Sequence, residues 1–175
     1  EKGSKFTGFA IPIFSEEEFK EHLARIKKEQ PDSGHYCYGL RIGADHKLYR
    51  YSDDGEPSST AGKPIFGQIQ SYELTNIMIV VTRYFGGTKL GVGGLITAYR
   101  AAAKEALENA KIITRTVDNF YQMEFGYEIM SSVMNFIKKN NLEVISQVLE
   151  EIGTIQFMIR QSESENIIEQ LENIE

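Results

Sequence analysis

The chain has 175 residues, 41% of them apolar, enough for one large domain or two small ones with real cores. Its net charge of −6 is unevenly placed, because residues 1–113 carry 15 Lys and Arg against 14 Asp and Glu whereas residues 114–175 carry 4 against 11. Strong non-specific binding to duplex DNA is thereby excluded, while a local cationic site in the first part is not, since phosphate responds to local potential rather than total charge.

Phe6 to Phe14 reads as a first strand. Ser15 then caps a helix, with Glu18 at the capping-box position, Phe14 and Phe19 placed as a hydrophobic staple, and Phe19, Leu23 and Ile26 as the core face. The helix stops before Pro31, and Tyr36 to Ile42 pairs with Leu48 to Tyr51 across the turn Gly43-Ala44-Asp45-His46. A turn-rich stretch, Asp53 to Pro64, follows. Ile77 to Thr82 is short, β-branched and apolar, as expected of the middle of a sheet. No run of large apolar residues exceeds Ile77 to Val81, far below the roughly 20 residues of a membrane helix, and no charged-then-apolar leader opens the sequence. No membrane partner is expected.

From Thr82 to Leu95 five glycines and two cations, Arg83 and Lys89, stand between that strand and an alanine-rich helix. Leu95, Tyr99, Ala102, Ala103, Ala106 and Leu107 share one face of this helix, placed from Leu95 to Ala110. After Thr114 the pattern restarts: a strand carrying Tyr121, Met123 and Phe125, a helix with Met130, Val133, Met134 and Ile137, strands Val144 to Leu149 and Thr154 to Arg160, and a helix from Ser162 with Glu165 completing a second capping box. The order β-α-β-β-α opens a ferredoxin-like domain whose last strand is expected beyond Glu175. Two domains follow, 1–113 and 114–175, in an α+β fold.

The glycine loop has the composition of an anion cradle: backbone N–H groups of Gly86, Gly87, Gly91, Gly93 and Gly94, a helix N-terminus, and Arg83 and Lys89 to meet phosphate oxygens. Standard nucleotide motifs fail. A P-loop begun at Gly86 meets Gly91 but then offers Val92 and Gly93 in place of Lys and Ser/Thr, and a dinucleotide motif begun at Gly91 meets Gly93 but finds Ile96 instead of a third glycine. The alternative is that the glycines only permit a tight crossing from strand to helix.

Asp53-Asp54-Gly55-Glu56-Pro57-Ser58-Ser59-Thr60-Ala61-Gly62-Lys63-Pro64 gathers carboxylates, hydroxyls and a lysine. Ser58, Thr60 and Lys63 suit a phosphate, and Asp53, Asp54 and Glu56 suit pairing with Arg83, magnesium binding or general base work; local turn chemistry explains the same residues, and neither metal nor cofactor is expected. His35 and Cys37 share a strand face, which raises a Cys-His nucleophile, against which stands a separation of about 6 to 7 Å at their roots. His35 fits better as a polar member of the site. A lone cysteine excludes an internal disulfide and a cysteine-based zinc site, and fits a reducing, cytoplasmic compartment. Tyr36, Tyr38, Tyr49 and Tyr51, with Tyr84 and Phe85, read either as stacking platforms for single-stranded bases or as ordinary strand residues.

Together, Asp53 to Ser58, Thr60 to Ile65, Val81 to Gly87, Lys89 to Gly91 and Gly93 to Leu95, with His35 and Cys37, resemble the signature of the IMPACT family, whose bacterial branch is YigZ-like. The resemblance implies a first domain like the second domain of a small-subunit ribosomal protein and a second like the C-terminal domain of elongation factor G. Eukaryotic members add an RWD domain, which nothing here matches, and restrain the kinase pathway that represses translation initiation. What carries over is a role in regulation of translation, with RNA or the ribosome as partner and no catalysis. Two other readings compete: an enzyme acting on a phosphorylated small molecule at Asp53 to Pro64 and Arg83 to Gly94, and a protein-binding adaptor working through the acidic second domain.

Overall fold

The computed structural model describes residues 3–174, and the chain divides into two compact units, Glu1–Ile113 and Thr114–Glu175. In the first, β1 (Lys5–Pro12), β2 (His35–Ile42), β3 (Leu48–Ser52) and β4 (Ile77–Tyr84) form an antiparallel sheet in the order β1-β4-β2-β3. Strand alternation divides its residues between two faces. Leu40, Ile42, Met78 and Val80 pack with Phe19 and Ile26 of α1 (Glu16–Glu29) on one face; Cys37, Ile79 and Val81 pack with α2 (Gly62–Ser71) and α3 (Gly91–Glu108) on the other. β4 is apolar on both sides because it is covered on both.

The first capping box forms: Ser15 Oγ accepts from the Glu18 amide at 3.2 Å, and the Glu18 carboxylate accepts from the Phe14 amide at 2.7 Å. The staple does not. β1 ends at Pro12, Ile13 turns into the core, and Phe14 is left 60% exposed. Sequence reading also misses α2, because Gly62, Pro64 and Gly67 dilute its helical propensity. Pro64 sits in the first turn, where no intrahelical N–H is required. Gly39 is needed beneath this helix, since a Cβ there would lie 2.9 Å from Phe66 backbone atoms. α3 begins at Gly91 rather than Leu95, so three glycines expected in the loop belong to its first turn.

In the second unit, β5 (Asp118–Gly126), β6 (Glu143–Leu149) and β7 (Ile152–Arg160) form an antiparallel sheet in the order β5-β7-β6. Phe125, Ile155, Phe157 and Ile159 pack with Val133 and Ile137 of α4 (Met130–Lys139) and Ile167 and Leu171 of α5 (Ser164–Glu172). The expected cap at Ser162 and Glu165 is absent: a 3-10 turn, Gln161–Glu163, leads into α5, and Ser164 Oγ donates to the Arg160 carbonyl at 3.2 Å. The molecule is a mixed α/β protein with two sheets. Among the described residues no helix is long and apolar enough to cross a membrane.

Candidate functional site

Glu56 is the centre of the first unit's polar cluster. Its side chain is 4% exposed, and its Oε1 accepts from Arg83 Nη1 at 2.7 Å and from the Tyr99 hydroxyl at 2.7 Å, with His35 Nε2 at 4.0 Å. β2 and β4 bring the strand residues together, since His35 lies opposite Arg83 in their register. His35 Nδ1 lies 2.8 Å from the Asp54 carbonyl, which can only accept, so Nδ1 carries the proton and Nε2 faces Glu56. Arg83 therefore does not offer its fork to an external phosphate. It is 6% exposed, held between the rings of Phe6 and Phe85 at 5.6 and 5.3 Å, and its Nη2 reaches Ser4 Oγ at 3.5 Å. Glu56, itself buried, answers the charge from within.

The acidic stretch is likewise turned to folding. Asp53 accepts from three backbone amides, Ser59 at 2.8 Å, Ala61 at 2.9 Å and Gly62 at 2.8 Å, and so caps α2, whose N-cap Ala61 has no side chain for the task. Asp54 accepts from the Tyr36 amide at 2.7 Å, fastening the loop to β2. Thr60 is buried and donates to the Pro57 carbonyl at 2.6 Å; Ser58 and Tyr84 are exposed. Three carboxylates close in sequence are thus held on three different sets of donors. Among the described residues no group of three or more His, Cys, Asp or Glu is placed to hold a metal.

The glycine loop divides by function. Gly86 makes room for the N-terminal segment: a Cβ there would lie 1.9 Å from the Gly3 carbonyl carbon, and its amide donates to Ser4 Oγ at 3.2 Å. Its amide is thus already taken. Around Gly87, Gly91 and Gly93 the space is open, and Gly87 and Gly91 have φ of +86° and +74°. Gly94 is closer to the body, its Cβ position 3.1 Å from Leu90. The first turn of α3 carries no side-chain cap and no acidic residue, and Gly91, Val92 and Gly93 in it are exposed beside exposed Lys89. Farther along, a groove of about 500 Å³ between α2 and α3 is bordered by Lys63, Ile96 and Arg100. Lys89, Lys63 and Arg100 are exposed cations along this side of the unit.

Cys37 is buried and donates to the Asp53 carbonyl at 3.0 Å. Burial pushes its thiol up to about 12, with the charges of Glu56, Asp54 and Asp53 adding to the rise and a hydrogen bond with Tyr99 opposing it. It is a packing thiol, not a nucleophile. Burial first, then Cys37 and Glu56, raises Tyr99 as well. The unfolded chain releases these protons from about their ordinary values of 9.0 and 10.0, while the native chain retains them to higher pH. Stability is therefore full below pH 9 and falls as pH rises, by about 1 kcal/mol per pH unit for each group in its window. The urea midpoint is expected to drop between pH 9 and 11, and Cys37→Ala to delay the onset to about pH 10. A flat midpoint over that range in the wild type counts against the buried pair.

On the hairpin, Tyr36 donates its hydroxyl to the Gln30 carbonyl at 2.6 Å and Tyr38 packs on Phe19, whereas Tyr49 and Tyr51 stack on Phe66 and remain half-exposed. Sequence reading missed Tyr99 as a polar member, because on a helix face it reads as packing alone. It also missed Arg41, a buried cation on β2.

Residues 2–107 match the family model described as the Impact N-terminal domain. The chain is 32% identical over 148 residues to an IMPACT family member of Haemophilus influenzae, covering 83% of this chain and 72% of that one. It is 33% identical over 134 residues to the IMPACT family member YigZ of Escherichia coli K12, covering 75% and 66%. Against four bacterial relatives the matched part spans between 56% and 72% of their own lengths, under two thirds in most. A crystal structure described only as that of a hypothetical protein superposes with a TM-score of 0.70 at 26% identity, covering 98% of this chain and 84% of that one. The paired signatures around Asp53 and Arg83, the family-model match and these identities agree, and the chain belongs to the IMPACT family, alongside its bacterial YigZ-like members.

Proposed function

We propose that the chain is a non-catalytic regulatory module of translation, cytoplasmic, which docks RNA phosphate, on the ribosome or free, along the open face of α3. The observation that carries this reading is the uncapped first turn of α3, with exposed Lys89 beside it and Lys63 and Arg100 along the adjoining groove. Gly91 to Arg100 spans about 14 Å of helix, so the strip meets more than one phosphate. Family membership supports the link to translation, and the likeness of the two units to a ribosomal-protein domain and an elongation-factor domain belongs to the same proposal. Arg83 is withdrawn from the contact set because Glu56 already neutralises it.

The enzymatic reading is weaker on chemical grounds. A general base or metal ligand needs a free carboxylate, and Asp53, Asp54 and Glu56 each serve an internal donor. Short single-stranded RNA is expected to bind with an affinity that falls with salt, and Lys63→Ala, Lys89→Ala and Arg100→Ala combined to lower the logarithmic salt slope by about 2, at roughly 0.7 per phosphate. An unchanged slope, or no salt-sensitive affinity in the wild type, refutes the RNA strip. Ribosome association that survives ribonuclease would instead favour the adaptor reading, through the acidic second unit.

A further inference from the structure

Arg41 is buried, 7% exposed, and among the described residues its Nε and Nη2 have no hydrogen-bond partner and its charge no carboxylate. Arg83, the other buried guanidinium, also leaves its Nε without a partner, but its charge is answered by Glu56; among the described residues Arg41 has the face of Phe66, 5.8 Å from its Cζ, and no carboxylate. Burying unmet donors and an unanswered charge is unfavourable, so an arginine held this way fits a site whose anion arrives from outside. The position is no accident of a loop. Arg41 lies on β2 opposite Tyr49 of β3 and Ile77 of β4, on the sheet face that α2 covers.

Arg41 lines a cleft of about 390 Å³ between the hairpin and α2, within the size range of small-ligand sites. Lys63 and His46 stand at the same cleft, and among the described residues no acidic side chain lines it. Its aromatic wall is Tyr49 and Tyr51, both stacked on Phe66 with centroids at 5.1 and 5.7 Å, and both half-exposed. A fork-shaped cation deep in the cleft, a second cation at its border and a flat aromatic wall call for a ligand that is anionic at one end and planar at the other.

We propose that this cleft binds a nucleotide, with its phosphate on Arg41 and Lys63 and its base against Tyr49 and Tyr51. Free mononucleotides and single-stranded RNA share that chemistry. The inference shares Lys63 with the α3 strip but does not rest on it, since Arg41 and the tyrosines are absent from the strip.

The test is titration of the whole chain with AMP, inorganic phosphate, adenosine and a short oligoadenylate, followed by calorimetry and tyrosine fluorescence, which no tryptophan obscures here. AMP is expected to bind saturably, and phosphate and adenosine each about tenfold or more weaker, because each supplies half of the recognition. Arg41→Met is expected to lower AMP affinity about tenfold or more while leaving the thermal midpoint unchanged or raised, since methionine keeps the packing and removes unmet donors. Tyr49→Leu, at the surface, should weaken AMP without changing phosphate. Lys89→Ala with Arg100→Ala should leave AMP binding intact, so failure of the RNA strip and failure of this site are distinguishable. Oligoadenylate binding that needs Arg41 and Tyr49, without AMP binding, assigns the nucleotide to an RNA strand and upholds the site. Absence of binding by both AMP and oligoadenylate, or equal binding to Arg41→Met, overturns it. Should Arg41→Met fail to fold, unchanged AMP and oligoadenylate affinity in Tyr49→Leu does so.

Discussion

Arg83→Ala is expected to destabilise the first unit by about 3 to 5 kcal/mol, the range for breaking a buried ion pair from one side. The guanidinium and Glu56 are both nearly fully buried, 2.7 Å apart, and removal of Arg83 leaves the Glu56 carboxylate with only the Tyr99 hydroxyl as a close donor. Glu56→Ala should lose a similar amount, because Arg83 and Tyr99 then both lose their acceptor. The double variant Arg83→Met with Glu56→Leu should recover much of the loss, since apolar side chains of similar volume carry no desolvation penalty. Urea unfolding followed by circular dichroism reads all three. A wild-type midpoint in Arg83→Ala would sink the buried-pair assignment. The same variant distinguishes roles: a phosphate-binding arginine changes the salt slope of RNA binding with little effect on stability, whereas this one should do the reverse.

Asp53→Ala should lower stability by about 2 to 3 kcal/mol, because one carboxylate satisfies the amides of Ser59, Ala61 and Gly62 and the latter two are buried. The damage should be local first. Hydrogen exchange at Ala61 and Gly62 is expected to accelerate before that of β4, whose amides are in the middle of the sheet. Asp53→Asn retains the oxygen shared by Ala61 and Gly62 and loses the Ser59 bond, so its loss should be about 1 kcal/mol. Equal exchange at Ala61 in Asp53→Ala and wild type would show that α2 does not depend on this cap.

Both predictions assign structural work to residues that attract attention as chemistry. Asp, Glu and Arg near glycine are what a phosphate or metal site looks like in one dimension. The partners that occupy them lie far along the chain, Glu56 27 residues from Arg83 and Asp53 9 residues from Gly62. Spacing cannot report such pairings. Helix α1 was legible because Ser15 and Glu18 are three residues apart and satisfy each other's neighbourhood. Helix α2 was not, because its cap is borrowed from the loop that precedes it. Arg41 escaped notice for the same reason, since only the pairing of β2 with β3 and the cover of α2 make its side chain an interior one.

By itself the sequence determined the elements whose signals are local: the strand alternations, the capped first helix, the alanine face of α3, and the paired motifs that carry the family. Those follow from periodicity and short-range hydrogen bonding, which act between residues a few positions apart. The tertiary structure decided which charges are free. It enclosed Glu56, Arg83, Cys37 and Tyr99 in one buried cluster, left Lys89, Lys63 and Arg100 exposed, and buried Arg41 beside an open cleft with no counter-charge among the described residues. Burial and long-range pairing set the energy of a charge, and both are properties of the folded chain.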